Sequence, residues 1–214
     1  MAFLSKNFQK FQVGYAILAL LVFILLGLTV AAFKSPFILS ADSAIGNFIF
    51  SSETFSGVQF WSAVTFFGNK ETIIAFSILL LLAFYFLKKY KDIIILAATV
   101  IGAELSGLIA KNLFQRIRPI TALPDVSFSF PSGHATLAAA FYGLLICFVW
   151  KNIKSKNARW GAFVFLSLLI LMIGYSRLYL GMHFFTDVLG GYFLGLAWVI
   201  LGVNAGKFFL KNNQ

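Results

Sequence analysis

Charge of either sign is scarce in this chain. Only 11% of its 214 residues are Asp, Glu, Lys or Arg, where a soluble domain carries about a quarter. Cysteine is nearly absent. Cys147 stands alone inside an apolar run, which excludes an intrachain disulfide and a cysteine-built zinc site. Histidine occurs twice, as His134 and His183, and proline four times. What is there instead is hydrophobic: 60% of residues, including 27 phenylalanines, with a mean hydropathy of +0.91. A soluble fold cannot hide that much apolar surface, so the composition implies a polytopic membrane protein of all-α class. The net charge of +10 would suggest nucleic acid in a soluble chain. Here the basic residues fall between apolar runs, and no basic face with interleaved aromatics is visible. No nucleic-acid partner is expected; the cations anchor the chain in the bilayer and are available to bind an anion.

A helix needs about 20 apolar residues to cross a bilayer. Six runs qualify: 13–33, 71–87, 92–110, 134–150, 160–176 and 183–206. The first follows Lys6 and Lys10 but is too long for a signal peptide's apolar region, so it reads as a retained helix. Residues 34–55, with Ser40, Asp42, Ser43 and Glu53, read as a polar loop, and 56–68 as a short interfacial segment anchored by Trp61. Segment 44–68 is placed to cover or gate a site beneath it. Six crossings put both termini on one side. Eleven of the 17 Lys and Arg residues lie on that side, which assigns it to the cytoplasm of a cell membrane.

Three outward-facing clusters then share one face. The loop after the third span holds Lys111, Arg116 and Arg118. Pro131-Ser132-Gly133-His134 opens the fourth span. Arg177, His183 and Asp187 join the fifth and sixth. Three cations within eight residues on the side where positive charge is disfavoured point to an anionic ligand. Arg presents a planar fork to phosphate oxygens and Lys a point charge. Arg116 alone reads as an interfacial, snorkelling side chain. Ser132 is a helix cap or donor, Gly133 lets backbone approach a ligand, and the helix entry is an anion site. His183 and Asp187, spaced i, i+4, fall on one helical face, either as a structural pair or as a carboxylate orienting a reactive imidazole. Two His and one Asp could also hold a metal, but the surrounding cations would repel a dication, so no metal is expected. Glu104 lies two turns below Lys111 on the same helical face, with a structural role as balance to the cations or bond to a neighbouring helix.

Lys111, six residues, Arg118-Pro119; Pro131-Ser132-Gly133-His134; and Ser176-Arg177, five residues, His183, three residues, Asp187: this order and spacing resembles the three-part signature of the type-2 phosphatidic acid phosphatase superfamily. By size and layout the chain is similar to bacterial phosphatidylglycerophosphate and undecaprenyl pyrophosphate phosphatases. The likeness covers most of the chain from about residue 70 onward, and no signature position departs from the pattern. It implies a single membrane-embedded phosphatase domain over 1–214, acting on a lipid phosphate without cofactor or metal. His183 would attack phosphorus and form a phosphohistidine. Asp187 would hold His183, and His134 would protonate the departing oxygen. Lys111, Arg118, Ser132, Gly133 and Arg177 would bind the phosphate. The same constellation resembles vanadium haloperoxidases, which are soluble. The competing class is a lipid-phosphate binder or transporter, which would need the cations but not the His–Asp pair.

Overall fold

Apolar segments removed from water must satisfy their own backbone hydrogen bonds, and helix is the local way to do so. A computed structural model describes residues 2–29, 36–119 and 127–211, with side chains described for 14–29, 36–119 and 127–205. All regular structure among them is helical. The helices are α1 (Ala2–Gly27), α2 (Pro36–Phe50), α3 (Phe55–Phe66), α4 (Lys70–Phe86), α5 (Tyr90–Phe114), α6 (Gly133–Asn152), α7 (Lys156–Tyr179) and α8 (Phe185–Lys211). Five stretches of the described residues are long and apolar enough to cross a membrane: Phe55–Phe86, Tyr90–Phe114, Gly133–Asn152, Lys156–Tyr179 and Phe185–Ala205. Residues 14–27 form a shorter apolar stretch, and residues 30–33 of the expected first span lie outside the described residues.

α4 to α8 alternate in direction, so their ends form two distinct clusters. At one end the α4–α5 and α6–α7 turns meet: Lys89 Nζ donates to Asn152 Oδ1 at 2.6 Å, and Lys151 pairs with Asp92 at 2.7 Å. At the other end come together the C-termini of α5 and α7, the N-termini of α6 and α8, and the α3–α4 turn. α1 points its C-terminal part to this second end, where Phe23 stacks on Phe130 at 5.5 Å and meets Phe114 edge-on at 6.0 Å.

The interior is built around α6 and α8. In α6 every residue from Ala135 to Leu144 is buried, whereas α4 exposes Ile74, Ile78, Leu79 and Leu82. Small residues bring the two central helices close. A Cβ at Gly195 would lie 2.5 Å from the carbonyl oxygen of Thr136, and one at Gly191 would lie 2.7 Å from that of Ser132. This crossing sets the first turn of α6 against the first turn of α8, where Ser132 N donates to Asp187 O at 3.0 Å.

Two expectations are corrected. The loop expected over 34–55 contains α2. Its serines fold back onto the helix, Ser40 Oγ donating to Phe37 O and Ser43 Oγ to Leu39 O, both at 2.8 Å, and its one carboxylate, Asp42, turns inward. His183 also precedes α8 rather than lying on its face, because the helix starts at Phe185.

Candidate active site

Each element ends in a way that aims a side chain at one point. α5 stops at Gln115, which takes a left-handed conformation (φ 47°) and caps Lys111 O at 2.9 Å. The chain then swings inward and buries Arg116. α7 ends in a tight turn through Gly181, whose φ of 61° favours glycine, and Met182 N and His183 N both donate to Arg177 O. That turn folds His183 back beneath Arg177. α6 starts after Pro131, with Ser132 as its cap residue and His134 in its first turn.

His183 is buried and held on both sides of its ring. Nδ1 lies 3.5 Å from Asp187 Oδ2 and 3.4 Å from Ser129 Oγ, and Nε2 lies 3.1 Å from Arg118 Nη1. With Nδ1 protonated toward the carboxylate, the lone pair of Nε2 faces the cation. Burial pushes the imidazole down to about 4 against the upward pull of Asp187, with Arg118 and Arg177 adding to the fall. The ring is therefore neutral at physiological pH, with the Nε2 lone pair unprotonated. Asp187 is fully buried and saturated: Ser129 Oγ donates to Oδ2, Phe184 N donates to Oδ2 at 2.9 Å, and Arg116 Nη1 donates to Oδ1 at 2.6 Å.

Three cations lie around the two histidines. Arg118 donates to Met182 O at 2.9 Å and Ser127 Oγ at 2.7 Å; Arg177 Nη1 donates to Thr65 Oγ1 at 2.9 Å; Lys111 Nζ donates to Phe128 O at 2.5 Å. Arg177, His183, Arg118 and Lys111 all lie within electrostatic reach of His134, whose Nε2 is 2.7 Å from Asn69 Oδ1. Ser132 Oγ is fully buried with no hydrogen-bond partner among the described residues, and the space beside the Gly133 Cα is open. An unfilled polar atom, an open backbone approach and a ring of cations fit an oxyanion such as phosphate.

Cavities flank the ring. One of about 290 Å³ is bounded by Ser43 and Asn47 of α2 and by Arg118 and His183. Another of about 140 Å³ lies beside Lys70, Glu104, Lys111 and His134. Glu104 pairs with Lys70 of α4 at 2.7 Å, so it bonds a neighbouring helix. Among the described residues no group of three or more His, Cys, Asp or Glu side chains could hold a metal ion.

The geometry thus brings together all eight residues expected from sequence. The family model for the PAP2 superfamily matches residues 92–209, which contain every one of them. The chain belongs to the PAP2 superfamily. It is an integral-membrane phosphatase of that family. It is 31% identical to phosphatidylglycerophosphatase B of Bacillus subtilis, over 63% of this chain and 68% of that one. To the lipid A 4'-phosphatase of Porphyromonas gingivalis it is 29% identical, over 67% of this chain and 66% of that one. The crystal structure of a transmembrane PAP2-type phosphatidylglycerolphosphate phosphatase from Bacillus subtilis superposes with a TM-score of 0.81 at 26% identity, covering 93% of this chain and 97% of that one. Aquifex aeolicus LpxE shares the fold, with a TM-score of 0.56 at 23% identity over 75% of this chain and 93% of that one.

Several site residues were not legible in the sequence. Arg116 is not a snorkelling side chain. It is 5% exposed, donates through Nη2 to Asp42 Oδ2 at 2.7 Å, and lies 4.1 Å over the Phe184 ring. Asp42, Ser129 and Asn69 belong to the site as well. The sequence signal for Asp42 was slight, because it falls in the segment read as a polar loop. Trp61 packs on Tyr175 at 4.7 Å, so it fixes α3 against α7.

Proposed function

We propose that this protein hydrolyses a phosphomonoester or pyrophosphate of a membrane lipid, without metal, through a phosphohistidine on His183. The observation that carries this reading is the buried neutral His183, gripped at Nδ1 by Asp187 and turning Nε2 toward Arg118 among further cations. Nε2 attacks phosphorus, and the bond to the lipid oxygen breaks as His134, protonated once the anionic phosphate offsets the surrounding cations, donates a proton to it. The ring becomes cationic, and Asp187 and Ser129 hold its Nδ1–H. Water then attacks the phosphorus, giving its proton to His134. The P–N bond breaks, inorganic phosphate leaves, and both histidines return to their starting state. Lys111, Arg118, Arg177, Ser132 Oγ and the Gly133 N–H receive the phosphoryl oxygens, where charge is spread in the transition state. Cations and donors fixed in place take the part a metal plays in other phosphatases.

The chain acts as one domain over residues 1–214 in the cell membrane. α1 and α4 to α8 make six crossings, and α2 and α3 lie at the outer boundary. Both termini are cytoplasmic and the site opens outward, since the lysine-rich end of the bundle takes the cytoplasmic side. Phosphatidylglycerophosphate, phosphatidate and undecaprenyl pyrophosphate are the substrates to compare.

The test is phosphate release from that panel by purified protein in detergent, with and without chelator. Turnover insensitive to chelator and abolished by His183→Ala is expected. Turnover that survives His183→Ala, or is lost with chelator, overturns the mechanism. Orientation is tested with Pro36→Cys and Ser155→Cys in a Cys147→Ala background. Labelling of position 36 from outside and of 155 from the cytoplasm is expected, and the reverse overturns the topology.

A further inference from the structure

Behind the nucleophile stands a buried charged arm made of residues at none of the signature positions. Asp42, on α2, is 1% exposed. Its Oδ2 accepts from Arg116 Nη2 at 2.7 Å and from Thr186 Oγ1 at 2.6 Å, and its Oδ1 accepts from Thr186 N at 3.0 Å. Arg116 spends its other nitrogen on Asp187 Oδ1 at 2.6 Å and on Thr186 Oγ1 at 2.7 Å. The sequence of groups is Asp42, Arg116, Asp187, His183, with charges of minus, plus, minus and neutral.

A purely structural tie between α2 and α8 has no need of this. Burying ions carries a desolvation cost that well-packed apolar side chains avoid. The arrangement has two chemical consequences instead. Arg116 fixes one oxygen of Asp187, which leaves Oδ2 facing His183 Nδ1, Ser129 and the Phe184 N–H. Alone, though, Arg116 would neutralise Asp187 just where a cationic ring must form. Asp42 restores one net negative charge behind that ring.

We infer that Asp42 and Arg116 are positioning residues of the reaction, Arg116 by orienting Asp187 and Asp42 by offsetting the charge of Arg116. This rests on the reading of His183 as nucleophile. It also makes α2, whose Ser43 and Asn47 line the cavity at His183, a working part of the site.

The two residues act on His183 with opposite sign, and that separates a role in the reaction from a role in folding. The charged and titratable groups facing His183 are Asp187 of α8, Arg118 after α5, Arg177 of α7 and His134 of α6. None of them changes in the test. Purified full-length protein in detergent is assayed on phosphatidate for kcat and KM from about pH 3 to about pH 8. Asp42→Asn should lower kcat about tenfold or more, the scale seen for outer partners of metal-bound imidazoles, with KM little changed. It should also move the acid limb of kcat/KM to lower pH, because a lost negative charge disfavours the imidazolium. Arg116→Gln should lower kcat too but move that limb to higher pH, because a lost positive charge favours the imidazolium. Arg116→Lys should keep the limb in place and recover part of kcat.

Wild-type kcat and pH profile in Asp42→Asn overturn the inference. So do limbs that move the same way in Asp42→Asn and Arg116→Gln, or losses that only track thermal unfolding. If Arg116→Gln does not fold, Asp42→Asn and Arg116→Lys decide the matter alone. Turnover surviving in His183→Ala would instead overturn the nucleophile assignment, a failure distinct from wild-type behaviour in Asp42→Asn.

Discussion

The two ends of the helical bundle use ion pairs in opposite ways. At the lysine-rich end Lys151 is 58% exposed and reaches down to Asp92, which is 3% exposed. At the site end the side chain of Arg116 is 4% exposed, between those of Asp42 at 1% and Asp187 at 0%. A cation near water contributes little and is replaceable. A cation stripped of water must be matched by an anion at close range, or removal of either partner leaves a buried charge behind. The difference sets the end proposed to do chemistry apart from the other. One end holds loops together and carries the excess of lysine. The other concentrates desolvated charge around a single imidazole.

If that contrast is right, the site end should break hardest where charge meets His183. Asp187→Asn keeps the shape and removes the carboxylate that orients Nδ1. In a serine protease triad the corresponding change costs about 10⁴-fold in kcat, and a loss of that order is expected here in phosphate-release assays. A loss below about tenfold would mean that Asp187 does not orient the nucleophile. His134→Ala comes next. General acid catalysis contributes about 10²–10⁴-fold, and the loss should shrink on aryl phosphates, whose leaving group needs no proton. An equal loss on both substrate types would give His134 a binding role instead.

Proton supply sharpens the same point. Burial holds His183 down near 4, so Nε2 keeps its lone pair from neutral pH down to that value. The acid limb of kcat/KM should therefore lie near 4, with about a tenfold fall per pH unit below it. A limb near 6.5 would show an imidazole that water reaches.

What could be read from sequence follows the same division. Lys111, Arg118, His134, Arg177, His183 and Asp187 were visible because their internal spacings are short and fixed. The long apolar runs gave most of the helices for the equally local reason that they are continuous. Arg116 and Asp42 were not visible, since their meaning lies in a contact between residues 74 positions apart. α2 was hidden by its own serines, which look polar in sequence but satisfy their hydroxyls on backbone carbonyls one turn back. His183 and Asp187 do meet as the i, i+4 spacing suggests, yet through the turn entering α8.

The crossing of α6 and α8 gives a smaller effect, on stability. Gly195→Ala puts a methyl 2.5 Å from Thr136 O, a backbone atom that cannot rotate away. The helices must part, at a cost of about 1–3 kcal/mol seen as a lower thermal midpoint in detergent. Because the same crossing docks Ser132 N on Asp187 O, activity should fall along with stability. An unchanged midpoint would mean that the two helices do not pack this closely.

Lys151→Ala should have the smallest effect, and it tests the comparison from the other side. The lost pair is half in water on the lysine's part, where such contacts contribute about 0–1 kcal/mol. Asp92, left behind at 3% exposure, keeps the support of its helix terminus. It sits in the first turn of α5, where the helix dipole favours a negative charge by about 0.3–1 kcal/mol. Phosphate release should stay at the wild-type level and the thermal midpoint should move by only a degree or two. A loss of activity from this position would mean that charge at the lysine-rich end is coupled to the site through the length of α5 and α6, and that the two ends are not the separate devices their burial makes them.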